Sequence, residues 1–326
     1  MTKLPLILNL INEGYSLQDI SNNLNIPFNK LSKYIQMIRT KGFKFNEKYY
    51  STGDTLYIPN QEIFYKSQEG TPVYTEPENN ELTIIAISDL HFGNKQENPR
   101  ALEIIYNYCI TNNINIIINA GDLLDALSFG YNGLKKYDNY FDLIEKSLKK
   151  YPQDSSILNF TVLGNHDLDA LLQTGQNLSI YLKNHRPDII PIGIGVGELL
   201  LKNSRILIKH PLKTGTEPPH KDYQDYSFIL RGHRHQTSLI NSGVPQIFIP
   251  SLSDLKFHGN ELPPEALQLN IKFNNGHINI LNITQLIIKN KVYPVNHLQL
   301  DLKEGKHHQE TEIKYEETYK KRILKP

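Results

Sequence analysis

The spacing of apolar residues changes along this chain. Over the first forty residues they recur every three or four positions, and from Leu82 onward they come in short runs that end in polar turns and alternate with helical segments. Leu4, Ile7, Leu8 and Ile11 predict a first helix over 4–11, closed by Gly14. Ser16 can cap a second helix, with Asp19 at its positive end and Leu17, Ile20 and Leu24 as its buried stripe. Pro27 disfavours helical geometry at Ile26, so Asn25-Ile26-Pro27 reads as a turn. A third helix runs from Phe28 to Lys41 with Leu31, Ile35 and Ile38 inward and Gly42 as its stop. The aromatic-rich segments Phe43–Ser51 and Thr55–Ile58 then read as strands around Thr52-Gly53-Asp54.

Helices across a short turn, followed by a strand pair, give residues 1–58 the pattern of a winged helix-turn-helix domain. Lys30, Lys33, Arg39, Lys41, Lys44 and Lys48 crowd the third helix and the strands of the wing, opposed on those elements by Glu47 alone. Such a local excess is what nucleic-acid phosphates require, although many winged helices bind protein instead. Residues 59–81, with Pro59, Gly70, Pro72, Pro77 and Asn79-Asn80, have a linker's composition apart from Ile63-Phe64-Tyr65.

In the second region, buried-strand runs over 82–88, 114–118, 157–163, 205–209 and 226–230 each end in a polar group. In order these are Asp89-Leu90-His91, Gly121-Asp122-Leu123-Leu124-Asp125, Gly164-Asn165-His166-Asp167, His210 and Gly232-His233-Arg234-His235. Carboxylates and imidazoles at strand carboxyl ends sit where ligands bind in open α/β sheets, and both are first-row metal ligands. Helices are expected over 101–110 and 137–149, and Asn274-Asn275-Gly276 predicts a hairpin between 267–273 and 277–280. Gly193–Gly197 reads as a turn between short strands without phosphate-loop spacing. Pro250–Asp254 either lines the substrate pocket or is a simple turn.

Each strand-end group is weak alone, but the ordered series over 82–255 resembles the calcineurin-like metallophosphoesterases. The resemblance implies a four-layer αββα sandwich over 82–302, preceded by the small helical domain and followed by a charged tail over 303–326. It implies that Asp89, His91 and His235 bind one cation, that Asn165, His210 and His233 bind a second, and that Asp122 bridges them. It also implies that His166, left free of metal, protonates the leaving oxygen, and that Asp125 orients it. Two cations held this way clamp the attacking and leaving oxygens of a phosphoryl displacement. Mixed oxygen and imidazole ligands suit manganese, the preferred assignment, or iron or zinc. Ala126 stands where the protein-phosphatase branch of the family carries a phosphate-binding arginine.

Composition narrows this picture only slightly. With 35 Lys and Arg against 34 Asp and Glu over 326 residues, there is no global attraction for nucleic acid, so any such binding is local. The single cysteine, Cys109, cannot form an internal disulfide and lies in an apolar helical pattern, which suits a buried thiol in a reducing, cytoplasmic compartment. No run reaches the length of a membrane span, and the apolar start lacks a small-residue cleavage site. The reading that follows is a phosphodiesterase or nuclease acting on DNA or RNA, compatible with a homo-oligomer. The alternatives are a hydrolase of small nucleotides with an N-terminal interaction module, or a non-catalytic DNA-binding regulator.

Overall fold

The first three apolar stripes fold as α1 (Leu4–Asn12), α2 (Leu17–Leu24) and α3 (Phe28–Thr40). The structure is a computed structural model that describes residues 3–40, 45–59, 71–74, 79–125, 140–168, 177–212, 223–257, 260–302 and 313–316. Ser16 Oγ accepts from the Asp19 amide at 3.2 Å and the Asp19 carboxylate accepts from the Ser16 amide at 3.4 Å, the reciprocal cap their spacing predicts. Ile7, Ile11, Ile20, Leu31, Ile35 and Ile38 pack into one core with Tyr57. The antiparallel hairpin β1 (Phe45–Tyr50) and β2 (Thr55–Pro59) follows.

The linker-like stretch holds a strand, β3 (Thr71–Tyr74), which pairs in parallel with β1 and with β8 (Val196–Leu201). Composition hides it because a strand this short needs one apolar anchor, Val73, which is buried. Pro72 is tolerated because β1 aligns only with Val73 and Tyr74. Tyr49 on β1 packs edge-on against Phe160, with ring centroids 5.5 Å apart. The N-terminal unit is therefore continuous in sheet and core with the rest of the chain.

From residue 81 the chain runs β4 (Glu81–Ile87), α4 (Pro99–Thr111), β5 (Ile116–Asn119), α5 (Tyr140–Lys150), β6 (Leu158–Leu163), α6 (Leu178–His185) and β7 (Ile189–Ile194). After β8 come β9 (Ser204–Lys209), β10 (Phe228–Arg231), β11 (Ser238–Ser242) and β12 (Val244–Phe248), then a small hairpin of β13 (Leu255–Phe257) and β14 (Asn260–Leu262). The chain closes with β15 (Glu265–Asn274), β16 (His277–Ile288), β17 (Val292–Asp301) and β18 (Ile313–Glu316). Two eight-stranded sheets result, ordered β11-β12-β10-β9-β8-β3-β1-β2 and β18-β17-β16-β15-β4-β5-β6-β7. In the second sheet β4 to β7 are parallel neighbours.

Strand β4 does not alternate because both its faces are covered. Ile84 and Ala86 meet Ile206, Ile208 and Phe228 between the sheets, while Ile85 and Ile87 meet Leu102, Ile105 and Cys109 beneath the helices. Among the described residues the outer face of the first sheet carries only a small cluster of Leu207, Ile229 and Val244 with Tyr223 and Tyr226. Of the four expected layers, three are therefore present among the described residues: helices, sheet and sheet. The fold is mixed α/β.

Residues read as tail or loop also join the sheet. β18 pairs with β17, and its Ile-Lys-Tyr-Glu sequence has the period of two that a strand needs. The predicted hairpin around Asn274-Asn275-Gly276 is present but much longer than its sequence signal. Polar Asn159, which interrupts the apolar β6 run, is satisfied by two tyrosines: its amide donates to Tyr106 at 2.6 Å and its carbonyl accepts from Tyr151 at 3.0 Å. Among the described residues no helix is long and apolar enough to cross a membrane.

Candidate metal centre

The polar strand ends of both sheets converge on one cleft. Asp89 and His91 follow β4, Asp122 and Asp125 follow β5, and Asn165 and His166 follow β6. From the other sheet, His210 follows β9, and His233 and His235 follow β10. Asp89 and His91 are tied across to the next loop, their amides donating to the carbonyls of Gly121 and Asp122 at 2.9 and 3.1 Å. Asp167 braces the turn after β6, its carboxylate accepting from the amides of Gly164, Leu123 and Leu124.

Close backbone approach accounts for two glycines. A Cβ on Gly164 would stand 2.2 Å from Asp122 Oδ1, and one on Gly232 would stand 2.3 Å from Ser88 Oγ and 2.7 Å from His210 Nδ1. Asp89, His91, Asp122, His233 and His235 all have φ between 47° and 77°. Each left-handed non-glycine residue costs on the order of 1–3 kcal/mol, and such strain concentrates at functional sites.

Asp89 and Asp122 are each hydrogen-bonded through one oxygen and bare at the other. Asp89 Oδ2 accepts from Ser88 Oγ at 2.6 Å and from the His233 amide at 3.0 Å, while Oδ1 has no hydrogen-bond partner. Asp122 Oδ1 accepts from the His166 amide at 3.0 Å, while Oδ2 has none. The imidazoles aim at the bare oxygens. His235 Nε2 and His91 Nε2 lie 3.1 and 3.6 Å from Asp89 Oδ1, and 3.3 Å from each other. His210 Nε2 lies 3.0 Å from Asp122 Oδ2 and 3.2 Å from Asn165 Oδ1. His233 has a ring nitrogen within 4.8 Å of the donor atoms of Asp122 and His210.

These spacings fit cations. Two nitrogens each about 2.1 Å from one ion at a tetrahedral angle stand about 3.4 Å apart. His210 Nδ1 donates to the Ala120 carbonyl at 2.7 Å, which fixes the tautomer with a lone pair on Nε2. Burial disfavours charge on His210, yet Asp122 and Asp89 raise it to about 9. Burial likewise opposes ionisation of Asp89, but the His235 and His91 imidazoles beside its Oδ1 hold its carboxyl well below the usual range. Asp89, His91 and His235 could hold one cation, and Asn165, His210 and His233 a second. Asp122 faces both groups, its Oδ2 also lying 4.0 Å from His91 Nε2.

His166 lies beside the cluster, its ring centroid 4.7 Å from that of His91, bonded through Nδ1 to Asp125 Oδ1 at 2.9 Å with Nε2 3.9 Å from Asp122 Oδ2. Burial lowers its proton affinity, but the Asp125 hydrogen bond and Asp122 outweigh that and raise it. Burial raises the Asp125 carboxyl, and His166 and Asn94 together bring it below its ordinary value. Asn94, Ser88 and the Ala120 carbonyl are supporting groups that carry no sequence signal, being single polar or backbone groups in turns.

Residues 82–237 match the family described as calcineurin-like phosphoesterase. The strand-end residues of the cleft, from Asp89 to His235, all lie within the matched stretch. Among solved structures, similar chains include the phosphoesterase Yfce of E. coli, at 15% identity over 68% of this chain and 100% of that one, TM-score 0.41. An archaeal phosphodiesterase is 13% identical over 64% of this chain and 100% of its own, TM-score 0.38. Vacuolar Protein Sorting 29 from Cryptosporidium parvum is 13% identical over 68% and 100%, TM-score 0.41. A sequence comparison with curated proteins gives no match.

The basic residues of the N-terminal unit fare differently from the strand-end groups. Lys30 and Lys33 are exposed. Arg39, expected on phosphate, is instead paired with Glu47 and stands 5.0 Å from the Tyr57 ring centroid. The reason is local: β1 brings Glu47 against the end of α3. Lys41 and Lys44 lie outside the described residues, as does the Lys48 side chain.

Proposed function

We propose that this protein is a dinuclear-metal-dependent phosphodiesterase acting on nucleic acid. The observation that carries the chemistry is the pair of buried aspartates, each with one bare oxygen turned toward imidazole nitrogens, beside a histidine held by Asp125. Divalent cations, manganese first, supply Lewis acidity and lower the pKa of water when held by Asp89, His91, His235, Asp122, Asn165, His210 and His233. His166, protonated by virtue of Asp125, stabilises the phosphoryl oxygens and gives its Nε2 proton to the leaving oxygen. Gly164 lets Asn165 and His166 approach Asp122 at a distance no side chain allows.

Among the described residues no lysine or arginine pairs with Asp89 or Asp122, whose ionic neighbours are imidazoles. A site without a fixed cationic side chain suits a monoanionic diester better than a dianionic monoester. The N-terminal unit reads as a winged helix-turn-helix, with exposed Lys30 and Lys33 on α3 to hold the polymer. A second reading has its own support. Arg39 is engaged by Glu47 and the unit is built into the first sheet through β3, which suits a fixed interaction module on an enzyme of small nucleotides.

A manganese-supplemented panel tests the reaction class: bis(p-nitrophenyl) phosphate is expected to turn over faster than p-nitrophenyl phosphate. Faster monoester hydrolysis overturns the diesterase reading. Deleting the N-terminal unit would strip Tyr49 from Phe160, so charge reversal is the cleaner test of polymer binding. Lys30→Glu with Lys33→Glu is expected to lower the ratio of polymer to chromogenic-diester turnover at least tenfold at low salt. An unchanged ratio favours the small-nucleotide reading.

A further inference from the structure

A cavity of about 600 Å³ opens beside the metal centre where β11 and β12 of one sheet part from β15, β16 and β17 of the other. His235 and Ser251 belong to its lining, so it begins where the candidate cluster ends. Its size is that of small-molecule sites, and its two walls are apolar: Leu239 and Ile247 on one sheet face Leu267, Ile283 and Leu298 on the other. Two facing apolar sheets accept a flat ring.

One polar system is set among these walls. Asn296 Nδ2 donates to Gln285 Oε1 at 2.7 Å, and Gln285 Nε2 donates to Glu265 Oε2 at 2.6 Å. The relay orients the half-buried Glu265 carboxylate and leaves Oε1 without a donor among the described residues. A carboxylate in such a place can only accept, so its partner must bring N–H groups. Burial raises the proton affinity of the Glu265 carboxyl, against the hydrogen bond from Gln285. The main chain ties this group to the cluster. The Glu265 amide donates to the Ser251 carbonyl at 3.0 Å, and Ser251 Oγ donates to the Asp89 carbonyl at 2.9 Å.

We propose that this cavity receives the base of the nucleotide whose phosphate lies at the metal centre, and that Glu265 makes it selective for guanine. The inference rests on the phosphodiesterase reading above and deepens it. Guanine presents its N1–H and N2 amino group side by side, a double donor matching an acceptor-only carboxylate. Adenine and cytosine offer one amino group beside a ring acceptor, and uracil flanks its N–H with carbonyls. The same base reaches the pocket from a short nucleotide diester or from a polymer end, and the two are separated by comparing a guanosine dinucleotide with an oligonucleotide.

The test uses the full chain with manganese. Guanosine and adenosine dinucleotides are compared as kcat/KM, and GMP and AMP are compared by equilibrium dialysis. The expected result is a guanine preference of at least tenfold in both. Glu265→Gln, which replaces one of the two acceptor oxygens with an amide donor, is expected to bring both ratios within about twofold of unity. If that variant fails to fold, Leu239→Trp fills the cavity from its wall and is expected to weaken GMP binding at least tenfold. Equal binding of GMP and AMP by the wild type, or a preference untouched by both variants, overturns the proposal. Wild-type turnover of bis(p-nitrophenyl) phosphate reads the underlying chemistry separately. If it is absent while dialysis still shows the Glu265-dependent preference, the diesterase reading fails and the guanine site stands.

Discussion

Among the described residues, two groups of buried charged side chains are finished in opposite ways. Arg186 and Asp188 form a two-point pair, Nε to Oδ1 at 2.9 Å and Nη2 to Oδ2 at 2.6 Å. The remaining guanidinium hydrogens go to the carbonyls of Leu148, Tyr151 and Pro152. Asp89 and Asp122 are equally buried, yet each keeps a bare oxygen, and they sit on strained backbone among imidazoles. A completed ion pair holds three chain segments together and has nothing left to offer a ligand. An incomplete one is tolerated only where something else completes it. Completion, rather than burial, separates scaffold from site.

The comparison predicts that substitutions in the cleft cost activity and that those at the completed pair cost stability. The largest effect is expected for His166→Ala. Loss of a positioned proton donor lowers diester turnover by about 10²–10⁴-fold, while manganese bound per chain, measured by elemental analysis after gel filtration, stays as in the wild type. Unchanged turnover removes His166 from the mechanism, and lost manganese makes it a ligand.

Arg186→Ala leaves Asp188 and three carbonyls facing the gap. The expected cost is about 3–5 kcal/mol in urea unfolding, because an uncompensated buried charge remains. Turnover per folded molecule is expected to stay within twofold, since Arg186 bonds to no residue of the cleft. A loss below about 1 kcal/mol would break the distinction between the two groups.

Metal removal sharpens it next. A cation that binds only the folded chain stabilises it by about 2.7 kcal/mol at a hundredfold excess over its dissociation constant. Chelation is therefore expected to lower the melting temperature of the wild type and of Arg186→Ala alike. In Asp122→Ala, which lacks the oxygen facing both histidine groups, the manganese-dependent shift should largely vanish. A full shift in that variant would place the cation elsewhere.

The cleft was legible in the sequence because its information is local: each group follows its own strand, and the order of strand ends survives without knowledge of their neighbours. The pairing of Asp125 with His166 was legible only through the family resemblance, which sets the second acid after β5 against the histidine after β6. What stayed hidden depends on distant partners. Arg186 has no meaning until Leu148, Tyr151 and Pro152 lie beside it, and Asn159 looks like an interruption until Tyr106 and Tyr151 reach it. Thr71–Tyr74 has the composition of a linker because its strand character comes from β1 and β8 on either side. Arg39 shows the converse error. Counted as local excess charge, it is cancelled by Glu47 once β1 folds against α3. The cavity at Glu265 needs both sheets to exist at all.

A third way of burying a titratable group is to keep it neutral, and Cys109 supplies the smallest test. Its thiol is fully buried under α4, and burial pushes its pKa up to about 12. In the unfolded chain the thiol ionises near 8.5 (roughly the free-cysteine value). The folded state therefore holds its proton longer, and above about pH 8.5 the unfolded state binds fewer protons. The contribution to stability is whole below that pH and is lost progressively as pH rises toward 12. One unit above the unfolded pKa the loss is about 1.4 kcal/mol at most. Urea unfolding between pH 8 and 9.5 should show this slope in the wild type, and Cys109→Val should lack it. In native protein at pH 8, the thiol should resist Ellman's reagent until urea opens the fold. Rapid labelling without urea would mean that the helix layer over the second sheet opens locally, and that neutrality there does not depend on sustained burial.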